Sequence, residues 1–87
     1  MKFYVYLITS TNKSKIISYV GYTNNLKKRL LAHNTSKGAK FTRGRKWKMI
    51  YNKSFATRSA AMKAEIKLKK NLLLRKKIKE KSVYAKK

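Results

Sequence analysis

Tyr19-Val20-Gly21-Tyr22-Thr23 and the basic segment that follows, as far as Asn34, hold the residues best suited to chemistry. Tyr19, Gly21, Arg29 and His33 fall within fifteen residues of one another. The usual hydrolase sets cannot be built around them. With one His, no Asp and no Cys, neither a Ser-His-Asp triad nor a Cys-His pair with an acidic partner is available. The chain has two carboxylates, Glu65 and the tail residue Glu80, too few for a two-metal nuclease site. A one-carboxylate, one-metal mechanism stays open. It needs a base that is not a carboxylate, and a tyrosine can serve if nearby positive charge lowers its pKa. It also needs an arginine to neutralise charge on a phosphorane-like transition state. Tyr6, Tyr19, Arg29, His33 and Glu65 are the candidates for those parts.

The charge balance names the partner. Lys and Arg total 25 against two acidic residues, a net charge of +23 that costs stability through self-repulsion and favours a polyanionic partner. Nucleic acid fits best, because each neutralised phosphate releases condensed counterions. A Lys-rich genome inflates lysine counts but does not remove nearly every Asp and Glu. The basic residues are spread along the whole chain, which argues against an anionic membrane surface. No apolar run is long enough to span a bilayer, and the N-terminal pattern is unlike a signal peptide. With no cysteine, disulfides and thiolate metal sites are excluded. A soluble, cytoplasmic protein is expected. At 87 residues, 43% of them hydrophobic, the chain supports one small domain with one core. Its active site is therefore expected in a surface groove.

The elements that must position these residues follow from periodicity. Lys2–Thr9 is rich in aromatic and β-branched residues and reads as a strand. Its alternation puts Phe3, Val5 and Leu7 on a core face and Tyr4 and Tyr6 on a groove face. A polar turn over Ser10–Lys15 leads to a second strand, Ile16–Tyr22, which pairs with the first as an antiparallel hairpin. Gly21 near its end signals close approach of a backbone or ligand, or a conformation that a side chain forbids. Thr23 or Asn24 caps a helix ending at Asn34, with Leu26, Arg29 and His33 on one flank. The stretch Thr35–Lys46 has no clear period. In it Lys37, Lys40, Arg43, Arg45 and Lys46 surround two glycines and Phe41, a mixture suited to backbone contact plus base stacking. Trp47–Phe55 reads as a third strand and Ala56–Ser59 as a turn and cap. From Ala60 a helix runs with Ala61, Leu68 and Leu72 on one stripe and Met62 and Ile66 beside it. Glu65 falls on that stripe. A metal ligand, an ion pair with Arg29 and a helix pair with Lys69 all explain it.

Taken together, Tyr4-Val5-Tyr6, Tyr19-Val20-Gly21, Arg29, His33 and a helical Glu65 resemble the GIY-YIG nuclease superfamily over roughly residues 2–72, most closely its small stand-alone prokaryotic members. The stretch from His33 through Arg45 is also similar to the nuclease domain of the eukaryotic structure-selective resolvase subunit. The resemblance implies an α+β fold, a small three-stranded antiparallel sheet flanked by helices. Residues 1–74 would form the nuclease-like domain and 75–87 a basic C-terminal helix extension or flexible tail. It implies cleavage of a DNA phosphodiester with one divalent metal, Mg²⁺ or Mn²⁺, in DNA repair or recombination on branched or damaged DNA. DNA is expected over RNA, with a protein partner able to complete substrate selectivity. By position, Tyr6 or Tyr19 would activate the attacking water, Arg29 would hold the scissile phosphate, Glu65 would bind the metal and His33 would assist proton transfer. Two departures stand out. Tyr4 replaces the first glycine of the motif, and the asparagine that often follows the glutamate-bearing helix has no convincing counterpart. A non-catalytic DNA- or RNA-binding protein with the same fold is the alternative.

Overall fold

A computed structural model describes residues 2–12 and 15–85. Strands β1 (Phe3–Asn12) and β2 (Lys15–Thr23) form the expected hairpin, and β3 (Lys48–Phe55) pairs with the other edge of β1. The sheet is three-stranded and antiparallel, in the order β2-β1-β3. Helix α1 (Leu26–Asn34) follows β2, and α2 (Arg58–Lys70) and α3 (Leu72–Ala85) follow β3. This is the α+β architecture that the sequence implies.

The strands run further than their apolar cores suggest. Ser10 and Thr11 belong to β1, because cross-strand pairing with Ile17 and Ile16 carries the ladder into residues of turn composition. The tip of that turn, Lys13 and Ser14, lies outside the described residues, as do Met1, Lys86 and Lys87.

As the central strand, β1 is buried on both faces, so its alternation does not separate a core face from an open groove. Val5 and Leu7 pack with Val20, Ala61 and Leu68 beneath α2, joined by Ile78 of α3. Tyr6 and Ile8 pack with Trp47, Met49 and the α1 residues Leu26 and Leu30 on the other side. A β-bulge shifts the β3 register between Leu7 and Ile8: Leu7 faces Tyr51, Ile8 faces Met49, and Ile50 is the extra residue between them. The bulge lets Ile50 and Tyr51 both join the α2 side while Met49 joins the α1 side.

Helices α1 and α2 begin under side-chain caps. The α1 cap is Asn25, whose oxygen accepts from the Lys28 amide at 3.1 Å, rather than Thr23 or Asn24. Thr23 acts one step earlier, with its hydroxyl accepting from the Asn25 amide. Thr57 caps α2 through the Ala60 amide, starting the helix two residues ahead of the expected Ala60. At the far end, Asn71 interrupts the Leu-rich run. Its amide N–H closes α2 on the Leu68 carbonyl and its side-chain oxygen accepts from the Leu74 amide to begin α3. This break removes Leu72 from the buried stripe and leaves it exposed, and Met62 and Ile66 are exposed as well. Only Ala61 and Leu68 of that stripe are fully buried. No helix among the described residues is long and apolar enough to cross a membrane.

Candidate active site

Strand register brings the two tyrosine-bearing tripeptides face to face. Tyr6 pairs with Gly21 and Ile8 with Tyr19, so both tyrosines project from the α1 side of the sheet. Gly21 is required there by Tyr6. A Cβ at position 21 would stand 2.6 Å from Cζ of the Tyr6 ring, which lies across the bare glycine. The close approach anticipated at Gly21 is thus made by a side chain of the neighbouring strand.

From α1, at positions one turn apart, Arg29 and His33 reach this pair. The Tyr6 hydroxyl lies 2.8 Å from Nε2 of His33, and Nε–H of Arg29 donates to the same oxygen at 3.3 Å. Tyr19 adds, after Tyr6, to the influences that raise the Arg29 pKa, and the Tyr19 and His33 rings are 5.2 Å apart. Four of the five candidate residues therefore form one cluster. His33 is fully buried within it.

The other imidazole nitrogen fixes the direction of every proton. The Thr42 hydroxyl donates to the Ala39 carbonyl at 2.8 Å, which uses its single hydrogen. With that hydrogen so placed, Nδ1 of His33, 2.9 Å from Thr42 Oγ1, is the donor of their pair. Nε2 is left as an acceptor and takes the Tyr6 hydroxyl proton. The chain of donors runs from Arg29 to Tyr6, His33, Thr42 and the Ala39 carbonyl.

Electrostatics agree with that assignment. Burial lowers the His33 pKa, and the Arg29 charge lowers it further, so the imidazole is neutral and able to accept. The Tyr6 pKa is raised: burial outweighs the stabilisation of the phenolate by Arg29. This reverses the expectation that positive charge alone would depress it, because a phenolate only 1% exposed has lost its hydration. Tyr6 rests as a phenol with a neutral base already hydrogen-bonded to its proton.

Thr42 was not among the candidates. It sits on a single 3-10 turn, Lys40–Thr42, inside the segment that lacked a period. The turn is pinned from behind, since the Trp47 indole donates to the Thr42 carbonyl at 2.9 Å and both polar atoms of the Asn34 side chain clamp the Trp47 backbone. Gly38 presses against the imidazole edge, where a Cβ would meet Cε1 of His33 at 3.0 Å.

Glu65 comes near but does not join the network. Its charge reaches Tyr6 as the smallest of the influences on that phenol. Its one ion pair is with Lys69 at 3.5 Å; no ion pair to Arg29 occurs among the described residues. The side chain is 17% exposed. A half-buried carboxylate with a single long contact keeps lone pairs for a cation. No group of three or more metal-binding side chains exists among the described residues. That donor set suits a largely hydrated divalent cation held by one carboxylate. Asn71, which follows the helix of Glu65, is engaged in capping α3.

The five basic candidates divide. Arg43, Arg45 and Lys46 line an open cleft of about 480 Å³ together with Ser10 and Thr11 at the far end of β1. Lys37 and Lys40 are exposed on the same loop, outside that cleft.

The catalytic-domain profile of the GIY-YIG family matches residues 2–79. This chain belongs to the GIY-YIG family. A UPF0213 protein of Oceanobacillus iheyensis is 46% identical over 67 residues, covering 76% of this chain and 74% of that protein. Another, from Streptococcus pneumoniae, is 43% identical over 70 residues, 79% of this chain and 68% of that protein. The match to a Bacillus pumilus relative is 50% identical over 52 residues and spans about half of that protein, 53%. A solution NMR structure of a UPF0213 protein from Bacillus halodurans aligns with a TM-score of 0.47 at 32% identity, over 88% of this chain and 80% of that one.

Proposed function

We propose that this chain is a divalent-metal-dependent DNA endonuclease that hydrolyses phosphodiester bonds, acting on branched or damaged DNA in repair or recombination. One observation carries the reading: a phenol whose oxygen receives a hydrogen bond from Arg29 while its own proton points at a neutral, tautomer-locked histidine. Family membership supports the nuclease class, and a net charge of +23 supports a polyanionic substrate.

In this reading the attacking water gives a proton to the Tyr6 oxygen as the phenol's own proton passes to Nε2 of His33. The resulting hydroxide attacks phosphorus, the P–O bond to the leaving strand breaks, and solvent protonates the departing oxygen. His33 keeps its Nδ1 proton on Thr42 throughout, so the imidazolium forms without rotating. Tyr6 is favoured over Tyr19 as the group that takes the water's proton, because Tyr6 has an acceptor in place for its own. Arg29 steadies the Tyr6 oxygen through Nε and leaves its outer nitrogens for the phosphate. Glu65 would hold the divalent cation, which when bound supplies charge neutralisation at the phosphate.

The competing reading, a binding module that keeps the fold, draws on the near-complete burial of Tyr6. Nicking assays on linear, flap and four-way DNA with Mg²⁺ or Mn²⁺ separate the two. Wild type should nick at least one substrate, while Tyr6→Phe, Arg29→Ala and Glu65→Ala lose about 100-fold or more. Absence of cleavage on every substrate overturns the nuclease reading in favour of binding alone, and equal cleavage by purified Glu65→Ala removes Glu65 as the metal ligand.

A further inference from the structure

Phe41 is more than half exposed, at 56%, in the loop between α1 and β3. It occupies the centre of the 3-10 turn whose next residue, Thr42, is fully buried against His33. Its ring stands 6.2 Å from that of Tyr19, with 23° between the planes, and 6.3 Å from that of Trp47. One side of Phe41 thus continues an aromatic row that begins at Tyr19, whose ring neighbours His33, and the other side is open to solvent. A large apolar ring left open to water on one side has little structural reason to be there, since Tyr19 and Trp47 already close the core behind it. Lys40 and Arg43 flank it and both are exposed.

We propose that Phe41 is a stacking platform for an unpaired base next to the scissile phosphate, and so selects DNA in which a nucleotide at the cleavage point is free of the duplex. The inference rests on the phosphodiester reading above and adds a substrate class to it. An aromatic side chain reaches the face of a base only where that base has left its stack, as at a flap, gap or junction. Lys40 and Arg43 then meet the flanking phosphates, while Arg29, on the other side of Tyr19, meets the phosphate to be cut. In a continuous duplex every base face is covered, so the platform has nothing to hold and only the electrostatic contacts act.

Binding without cleavage tests this, so its outcome is independent of whether the chain proves to be a nuclease. In EDTA, titrate wild type, Phe41→Ala, Phe41→Leu and Phe41→Trp against a 5′-flap DNA carrying 2-aminopurine at the unpaired junction nucleotide, and against a fully paired duplex of the same length. Wild type and Phe41→Trp should quench the probe in the flap. Phe41→Ala and Phe41→Leu should lose the quenching and bind the flap about tenfold more weakly, with duplex affinity within about twofold of wild type. Phe41→Leu keeps an apolar side chain against Tyr19, so it guards against a merely structural loss. Unchanged flap affinity in both variants, or flap and duplex affinity falling together, overturns the proposal. Failure of the nicking assay with retained flap quenching leaves Phe41 as a stacking residue of a binding module.

Discussion

Thr42 accepts the Nδ1 proton of His33 at 2.9 Å while its own hydroxyl donates to the Ala39 carbonyl. A loop hydroxyl therefore decides which imidazole nitrogen faces Tyr6. Thr42→Val keeps the shape, removes the acceptor and leaves a buried N–H without a partner. It should lower stability by about 1–3 kcal/mol and let the other tautomer compete, cutting nicking by roughly 10- to 100-fold. Thr42→Ser retains the hydroxyl and should recover most of both. Thermal denaturation beside nicking rates checks this. Wild-type rates in Thr42→Val would show that the tautomer is held by something else.

Gly21 and Tyr6 make a second pair whose coupling can be measured. In Gly21→Ala the new methyl meets a ring already backed by His33 and Arg29, and the central strand cannot retreat. The expected cost is about 1–3 kcal/mol, with a larger proportional loss of nicking because the Tyr6 oxygen is pushed off its partners. In a Tyr6→Leu background the smaller side chain relieves the overlap, so Gly21→Ala should destabilise less there. A double-mutant cycle with no interaction energy contradicts the close-approach account.

Acid sensitivity follows from His33. Its folded pKa lies below the ordinary value of 6.5 because of burial first and Arg29 second. As pH falls below about 6.5, the unfolded chain takes up a proton that folded His33 resists. Stability present above the unfolded pKa is therefore lost as pH falls from there toward the folded pKa, and levels off below it. His33 is the only histidine and there is no aspartate, so this limb is largely its own. Thermal scans from about pH 8 to about pH 5 should show the decline in wild type and a much flatter profile in His33→Gln. Nicking should fall over the same range, because protonated His33 cannot accept the Tyr6 proton. A flat wild-type profile would count against a neutral, buried imidazole.

Local rules went far in this chain because the site is built on a hairpin and the helix that follows it. Alternation along β1 and β2 and a one-turn spacing on α1 are enough to bring Tyr6, Tyr19, Arg29 and His33 to one place. The rest depends on closure in three dimensions. That β1 is buried on both faces follows from α1 and the 3-10 turn covering its tyrosine side, which no period within β1 records. The same covering reverses the Tyr6 pKa, since burial outweighs the arginine beside it. Thr42 acts through a loop whose path is fixed by Asn34 and Trp47, so its own neighbours in sequence carry no sign of it. The break at Asn71 falls between a lysine pair and a leucine run, where one residue ends a helix with its amide and starts another with its side chain.

Glu65 and Lys69 provide the sharpest test of what the lone site carboxylate is for. At 3.5 Å, with the lysine side chain 53% exposed, the pair is worth only about 0.3–0.5 kcal/mol. If the pair were the reason for Glu65, Glu65→Gln and Lys69→Ala should have the same small effect on stability and neither should affect cleavage. If the carboxylate holds the metal, the two variants must part. Glu65→Gln preserves shape and should melt within a few degrees of wild type, about the shift of a sub-kcal/mol change, while nicking in Mg²⁺ or Mn²⁺ falls by about 100-fold or more. Lys69→Ala should nick at close to the wild-type rate at saturating metal and reach half-activity at equal or lower metal concentration, because a competing cation has left the carboxylate. Metal titrations of nicking for the three proteins, run beside thermal melts, distinguish these cases. Matching titrations for wild type and Glu65→Gln would assign the cation to other ligands and leave Glu65 a helix-surface residue.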